Sequence, residues 1–400
     1  MWTAHLTPRP SSFGHPESNT PPMTRSAPIQ MVDLKGQYRA IQQEIDEVVL
    51  ETIRSGYFIG GPRLKAFQQQ LTNYTGAAHV IPCANGTDAL QIALMALGLQ
   101  PGDEVIVPAF TYVATAEVIG LLNLKPVMVD VDSYSFNVTT AAVEAAVTPR
   151  TKAIVPVHLF GQSVDMEPLL QLATDRKIAV VEDNAQAIGA VYTFSDGRRQ
   201  QTGTLGDIGT TSFYPSKNLG AYGDGGALLT MREDYATRLR SIANHGQSTT
   251  RYYHDQIGVN SRLDAIQAAI LGVKMNYLDQ YVARRQRAAS VYDERLAGIE
   301  GLHTPKRVAN STHVFHQYTL RVADGRRAAL QTHLQRAGVP TMIYYPVPLY
   351  RQRAYAAFWD GQQLPVTEQL CEDVLSLPMH SELDEDTLAY ITDQIRAFFA

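Results

Sequence analysis

Four short segments carry residues able to do chemistry together. The first is Asn85-Gly86-Thr87-Asp88-Ala89-Leu90, which follows an apolar run and opens a helical pattern. A helix N-terminus offers free N–H groups and the positive end of a dipole, so it suits a phosphate, and Thr87 adds a hydroxyl. Taken alone, these residues also read as an ordinary N-capped turn. The second is Phe110-Thr111-Tyr112, just after the run ending at Pro108. Tyr112 could stack on a flat ring or simply pack in the core. The third is Val180-Val181-Glu182-Asp183-Asn184-Ala185-Gln186. A carboxylate such as Asp183 at the end of a buried strand is costly unless something cationic meets it, and a protonated pyridine nitrogen would serve. A capping role is the plain alternative. The fourth runs from Thr211 to Gly220 and on to Gly223-Asp224-Gly225-Gly226. Lys217, among small residues, could be desolvated, lose its proton and attack an aldehyde. Most lysines, however, are simply solvated. Ser212 could add a hydroxyl to the phosphate site.

Each segment is ambiguous by itself, but the set is not. Phosphate turn, aromatic stacker, ring-nitrogen acid and amine nucleophile follow one another along the chain, each at the end of a β-rich run. The elements that must hold them are legible too. Apolar runs at 80–83, 104–108, 126–130, 152–157, 178–182, 209–213 and 226–230 alternate with helical patterns such as 88–97, 139–147 and 165–176. Near-continuous apolar strands separated by helices predict a mostly parallel sheet covered on both faces, with ligands at the carboxyl ends of the strands. Beyond Asn260 the pattern changes. Residues 261–296 read as one or two long helices, followed by a strand at 317–322 and helices at 326–337 and 384–399. The expected organisation is a tail over residues 1–29, a large domain over 30–275 and a smaller C-terminal α/β domain over 276–400.

Bulk properties narrow the class. The chain has 400 residues, 45% hydrophobic and 18% charged, with a net charge of −5. That is ample for a large core, and no basic stripe invites nucleic acid. No apolar run reaches the length of a membrane span. The two cysteines, Cys83 and Cys371, make no disulfide framework, so a cytoplasmic setting is expected. The first 28 residues hold six prolines and no apolar stretch, which reads as a disordered tail rather than a secretory signal, with Met23 or Met31 as candidate starts. The eleven histidines show no metal-binding spacing, and neither a dinucleotide fingerprint nor a Gly-x-Ser-x-Gly elbow is present.

The four segments, together with Asn260-Ser261-Arg262-Leu263-Asp264 and Tyr344-Tyr345-Pro346-Val347-Pro348-Leu349, resemble the DegT/DnrJ/StrS family of nucleotide-sugar aminotransferases. These are pyridoxal 5′-phosphate (PLP) enzymes of fold type I. The resemblance runs from about Met31 to near the C-terminus and implies roles residue by residue. Lys217 would bind PLP covalently and act as catalytic base. Asp183 would meet the ring nitrogen, Gln186 the ring hydroxyl, and Tyr112 the ring face. Gly86, Thr87 and Ser212 would hold the phosphate, and Asn260 would reach the phosphate in a partner subunit. Gly56, Phe58, Ser216, Arg262, Tyr344 and Tyr345 fall in motifs that touch the sugar nucleotide or the amino donor, with the two tyrosines expected from the second subunit of a homodimer. Arg262, two residues beyond Asn260 in a helical or turning segment, would grip a carboxylate; pairing with Asp264 is the alternative.

The resemblance also implies a reaction. Glutamate would give its amino group to a nucleotide-linked keto sugar, for cell-surface polysaccharide biosynthesis. Cys83–Ile92 and Asn244–Gln247 are most similar to 3-aminotransferases acting on UDP-2-acetamido-2-deoxy-3-oxo-glucuronate. Phe58 and Tyr344 depart from the Tyr and His usual there, and 193–203 looks inserted, which leaves a dTDP-3-keto-6-deoxy sugar open. A PLP-dependent sugar dehydratase and a non-catalytic regulator on the same fold are further alternatives; Lys217 and Asp183 speak against both.

Overall fold

A computed structural model describes residues 28–247, 249–359 and 361–400. Most of residues 1–29 therefore lies outside the described residues. Twelve strands occur in chain order among the described residues. They are β1 (His79–Cys83), β2 (Glu104–Pro108), β3 (Lys125–Val129), β4 (Thr151–Ile154), β5 (Ala179–Asp183), β6 (Val191–Thr193), β7 (Arg199–Gln201), β8 (Ile208–Ser212), β9 (Gly226–Thr230), β10 (Leu302–His303), β11 (Tyr318–Val322) and β12 (Val374–Leu377).

Seven of them form the central sheet, in the order β1-β9-β8-β5-β4-β2-β3. Neighbours from β8 to β3 pair in parallel, while β9 runs antiparallel to both β1 and β8. All five residues of β2, β8 and β9 are buried. Alternate side chains feed opposite cores. Val105 and Val107 pack with Leu90, Val118 and Leu239 on one face, and Ile106 packs with Ile154, Leu169 and Val180 on the other. This two-sided burial is why the strands read as apolar runs rather than as an alternating pattern.

The second sheet, β10-β11-β12, is antiparallel throughout. Its core joins Tyr318 and Leu320 to Tyr292 from the helix Leu278–Leu296 and Ile391 from the helix Glu385–Phe399. The stretch read as helical from Ser261 begins its first helix only at Ala265. Residues 260–264 are extended, with exposure alternating strictly, because Ser261 and Leu263 turn inward. The inserted-looking stretch forms the β6–β7 hairpin, closed by Arg198 stacking 3.9 Å from the Phe194 ring centroid.

Candidate active site

The carboxyl ends of the parallel strands bring the first set of residues together. Asn85 caps the helix Gly86–Ala96 by accepting from Asp88 N at 2.8 Å, and the N–H groups of Gly86 and Thr87 remain for a ligand. Gly86 is required there. A Cβ on it would sit 2.7 Å from Ser212 Cβ and 3.2 Å from Ser212 Oγ, at the end of β8. The helix start and Ser212 thus form a narrow cradle, with Thr87 half-buried beside it. Helix dipole, free N–H groups and a serine hydroxyl fit a phosphate.

Asp183 ends β5 and is 5% exposed. Its Oδ2 accepts from Thr115 Oγ1 at 2.8 Å and its Oδ1 from Ala185 N at 3.1 Å. No described cation forms an ion pair with it, so a buried acid stands open to a cationic ligand atom. Gln186 follows one turn later. Its Oε1 accepts from Phe160 N at 2.8 Å, and its Nε2 donates to Tyr345 Oη at 3.3 Å. Tyr112 is exposed, and its ring centroid is 6.4 Å from that of Tyr345. These donors and acceptors suit a phosphorylated pyridine.

Lys217 sits in the turn after β8, where its N–H donates to Tyr214 O at 2.8 Å. Burial pushes its ammonium down to about 8, against the pull of the Asp183 carboxylate. A lysine brought that low has a sizeable uncharged fraction near neutrality, as an amine nucleophile needs. Ser216, beside it, is half-buried.

The residue before Asp183 points the other way. Glu182 is fully buried and accepts from Gly203 N at 2.8 Å, Leu205 N at 2.6 Å, Gly206 N at 2.7 Å and His158 Nε2 at 2.8 Å. The His158 backbone N–H in turn donates to Asp183 O at 3.1 Å. This acid is held shut by the protein, whereas its neighbour is not.

A second set lies on an exposed strip. Asn260 and Arg262 flank the buried Ser261, whose hydroxyl donates to Asp88 Oδ2 at 2.6 Å and accepts from Ala84 N at 3.0 Å. The two exposed residues share a face because the backbone is extended, rather than helical or turning as expected. Arg262 makes no ion pair with Asp264 or any other described residue. Gly56, in left-handed conformation (φ 70°), ends the helix Gln42–Ser55 and leads to exposed Phe58. The Phe58 carbonyl accepts from Ala265 N at 2.9 Å, which sets it beside the Arg262 strand. None of these four residues hydrogen-bonds to Lys217 or Asp183.

One expectation is corrected. Tyr345 was expected from a second subunit, yet its hydroxyl meets Gln186 of its own chain. Tyr344 lies beside it, with ring centroids 6.0 Å apart. Thr115, three residues past Tyr112, is a partner of Asp183 that the sequence reading does not find, because its apolar neighbours give it no polar signal. Lys274 was missed as well. It is buried and donates to Gly220 O at 2.7 Å, three residues past Lys217.

The fold is α/β, and its sheet sets Lys217, in the turn after β8, and the open buried acid Asp183, at the end of the neighbouring β5, on the same carboxyl edge. Residues 39–396 match the DegT/DnrJ/EryC1/StrS aminotransferase family, and the chain belongs to it. It is 45% identical to a UDP-2-acetamido-2-deoxy-3-oxo-D-glucuronate aminotransferase of Pseudomonas aeruginosa, covering 91% of this chain and 98% of that one. It is also 45% identical to a pleiotropic regulatory protein of Geobacillus stearothermophilus, covering 93% and 98% respectively. Among solved structures, NtdA of Bacillus subtilis with bound cofactor PMP is similar with a TM-score of 0.87 and 30% identity, covering 95% of this chain and 87% of that one.

Proposed function

We propose that this chain is a PLP-dependent aminotransferase that moves the amino group of glutamate onto a nucleotide-linked keto sugar, with a UDP-3-keto sugar as the first candidate. The observation that carries this reading is the pairing of a buried, ion-pair-free Asp183 with a lysine that burial brings down to about 8. When bound, PLP supplies an aldehyde that exchanges amines and a ring that withdraws electrons from the adjoining carbon. Lys217 would hold it, Asp183 would face the ring nitrogen, and Gln186 the ring hydroxyl. Tyr112 would cover the ring, and Gly86, Thr87 and Ser212 would hold the phosphate. Lys217, freed when the amino donor arrives, would take the donor's α-proton and later return a proton to the sugar carbon. Arg262, with its planar fork unpaired, would grip a carboxylate of glutamate or of a uronate sugar. Phe58, Gly56, Ser216, Tyr344 and Tyr345 would line the sugar-nucleotide approach.

Leu50, Ile53, Tyr57, Phe58 and Ile59 are exposed apolar residues, and Ile59 pairs with Asp264, two residues beyond Arg262. Such a group of residues suits burial against a second copy, with Asn260 reaching that copy's phosphate. On this reading residues 30–275 form the large domain, 276–400 the small one, and the enzyme works in the cytoplasm. A regulatory role, suggested by one relative's name, would leave the paired lysine and acid without use.

The test is spectroscopic. The purified protein should show a cofactor absorbance band that disappears on adding glutamate. Borohydride should fix the cofactor to Lys217, and Lys217→Ala should abolish the adduct. A label on another lysine would overturn the assignment. A panel of UDP- and dTDP-linked keto sugars would then decide between the acceptors.

A further inference from the structure

We propose that Lys274 and Gln267, two turns apart on the helix Ala265–Met275, are positioning residues for Lys217: they clamp the backbone of residues 220–222, which closes the turn that carries it. The inference rests on the reading of Lys217 as the amine nucleophile.

The turn starts at the end of β8 and folds back on itself. Lys217 N–H donates to Tyr214 O at 2.8 Å, Ala221 N–H to Phe213 O at 2.8 Å, and Phe213 N–H to Gly225 O at 2.7 Å. Gly220 lies against the same stretch of backbone. A Cβ on it would sit 2.3 Å from Pro215 O and 3.0 Å from Tyr214 O. The chain at Gly220 therefore backs the carbonyl that fixes Lys217. Gly220 is itself buried, and a buried carbonyl needs a donor.

Lys274 is that donor, with its Nζ 2.7 Å from Gly220 O. It is 1% exposed and forms no ion pair among the described residues. Its Nζ also lies 4.3 Å from the centroid of the Tyr222 ring. A buried lysine without an acid partner is costly, and both contacts of this one fall on the loop that closes the turn. Burial brings its ammonium down to about 7, and the amine donates in either protonation state.

Gln267, seven residues earlier and so on the same helix face, takes the next part of the loop. Its Oε1 accepts from Tyr222 N–H at 2.9 Å, and its Nε2 donates to Tyr222 O at 3.4 Å. Gly223 passes so close that a Cβ would meet Gln267 Nε2 at 2.9 Å. One helix face thus holds the Gly220 carbonyl and both backbone groups of Tyr222. Proton transfer depends on placement, and an error of about 1 Å can cost a hundredfold in rate.

The experiment compares hydrogen exchange in two segments of the cofactor-free protein, read by peptide mass spectrometry. Residues 213–222 report the turn, and Tyr318–Val322 in the second sheet reports overall stability. Lys274→Met removes the donor and keeps the stem, whereas Lys274→Gln supplies an amide donor. Gln267→Leu removes the second clamp and leaves Lys274 in place. Exchange at 213–222 should quicken about tenfold in the Met and Leu variants, with the second sheet unchanged. Lys274→Gln should return it to the wild-type rate. In the loaded enzyme kcat should fall about tenfold at unchanged KM for glutamate, with the same rescue. Unchanged exchange at 213–222, equal quickening in both segments, or a Gln variant that behaves like Met overturns the proposal. If the Met variant does not fold, Gln267→Leu decides alone by the same comparison. The borohydride label reports separately on the reading of the site. A label away from Lys217 removes that reading whatever the exchange shows, and a label on Lys217 with unmoved exchange removes only the clamp.

Discussion

Thr115 and Asp183 lie on different elements, 68 residues apart in sequence, and are joined by one buried hydrogen bond of 2.8 Å. The hydroxyl fixes which carboxylate edge faces the site. Thr115→Val keeps the shape and removes the donor. Cofactor affinity is expected to fall about tenfold, the usual size for a hydrogen bond to a charged group. Fluorescence or absorbance titration of the stripped protein measures it, and an unchanged Kd would show that Ala185 N alone suffices.

Lys274 offers a test of stability against pH. Burial lowers its ammonium to about 7 in the folded chain, below the ordinary 10.5 of an unfolded one. Between those values the unfolded state binds more protons, so stability rises with pH across the window and is lowest below it. Lys217, brought to about 8, adds the same sign. Lys274→Met should flatten the rise and leave Gly220 O unmet, at a cost of about 1–3 kcal/mol at pH 9. Urea unfolding of the cofactor-free protein at a series of pH values checks this. A wild-type stability that falls between pH 7 and 9 while the variant's does not would refute it.

Arg262→Lys keeps the charge and loses the fork. KM for glutamate should rise, with a loss of about 1–3 kcal/mol in kcat/KM. With a uronate acceptor the second half-reaction should suffer similarly, and with a neutral 6-deoxy sugar it should not. Single-turnover kinetics separate the halves, and unchanged kinetics in both would remove the carboxylate role.

Much of this site is legible in the sequence because its parts are local. Gly86, Asp183, Ser212 and Lys217 each sit next to a strand whose apolar run can be read directly. The strand ends at 83, 108, 183 and 212 match their runs to within a residue or so. What could not be read depends on closure of the fold. Thr115 reaches Asp183 from another element with nothing in its neighbours to announce the partner, and the motif that names Tyr345 does not say that it meets Gln186 of its own chain. The extended strip at 260–264 was mistaken for helix because its inward residues, Ser261 and Leu263, give too short a pattern to fix a period. The reversed direction of β9 has no signature in a strand buried on both faces.

Shared sites can be tested by mixing. Lys217→Ala and Asn260→Ala subunits are each expected to be impaired. Hybrids contain one site with neither change, so up to about half of a native dimer's activity should return in each hybrid. Subunit exchange is followed by mass spectrometry of the intact assembly. Proven exchange without recovery would place Asn260 in its own chain's site.

The two acids at the end of β5 have opposite fates for a reason that lies in the sheet. Glu182 pairs with Gly209 and Asp183 with Thr210 of β8. Gly209 has no side chain, which lets the Gly203 carbonyl pack where a Cβ would stand and brings the 203–206 amides over Glu182. A slip of one residue in that ladder would exchange the faces. The shorter acid would then be walled in and the longer one turned toward the ligand, one methylene too far forward. The pairing register thus serves as a ruler for the chemistry, and a designer moving this site to another scaffold must transplant the β5–β8 alignment before any side chain.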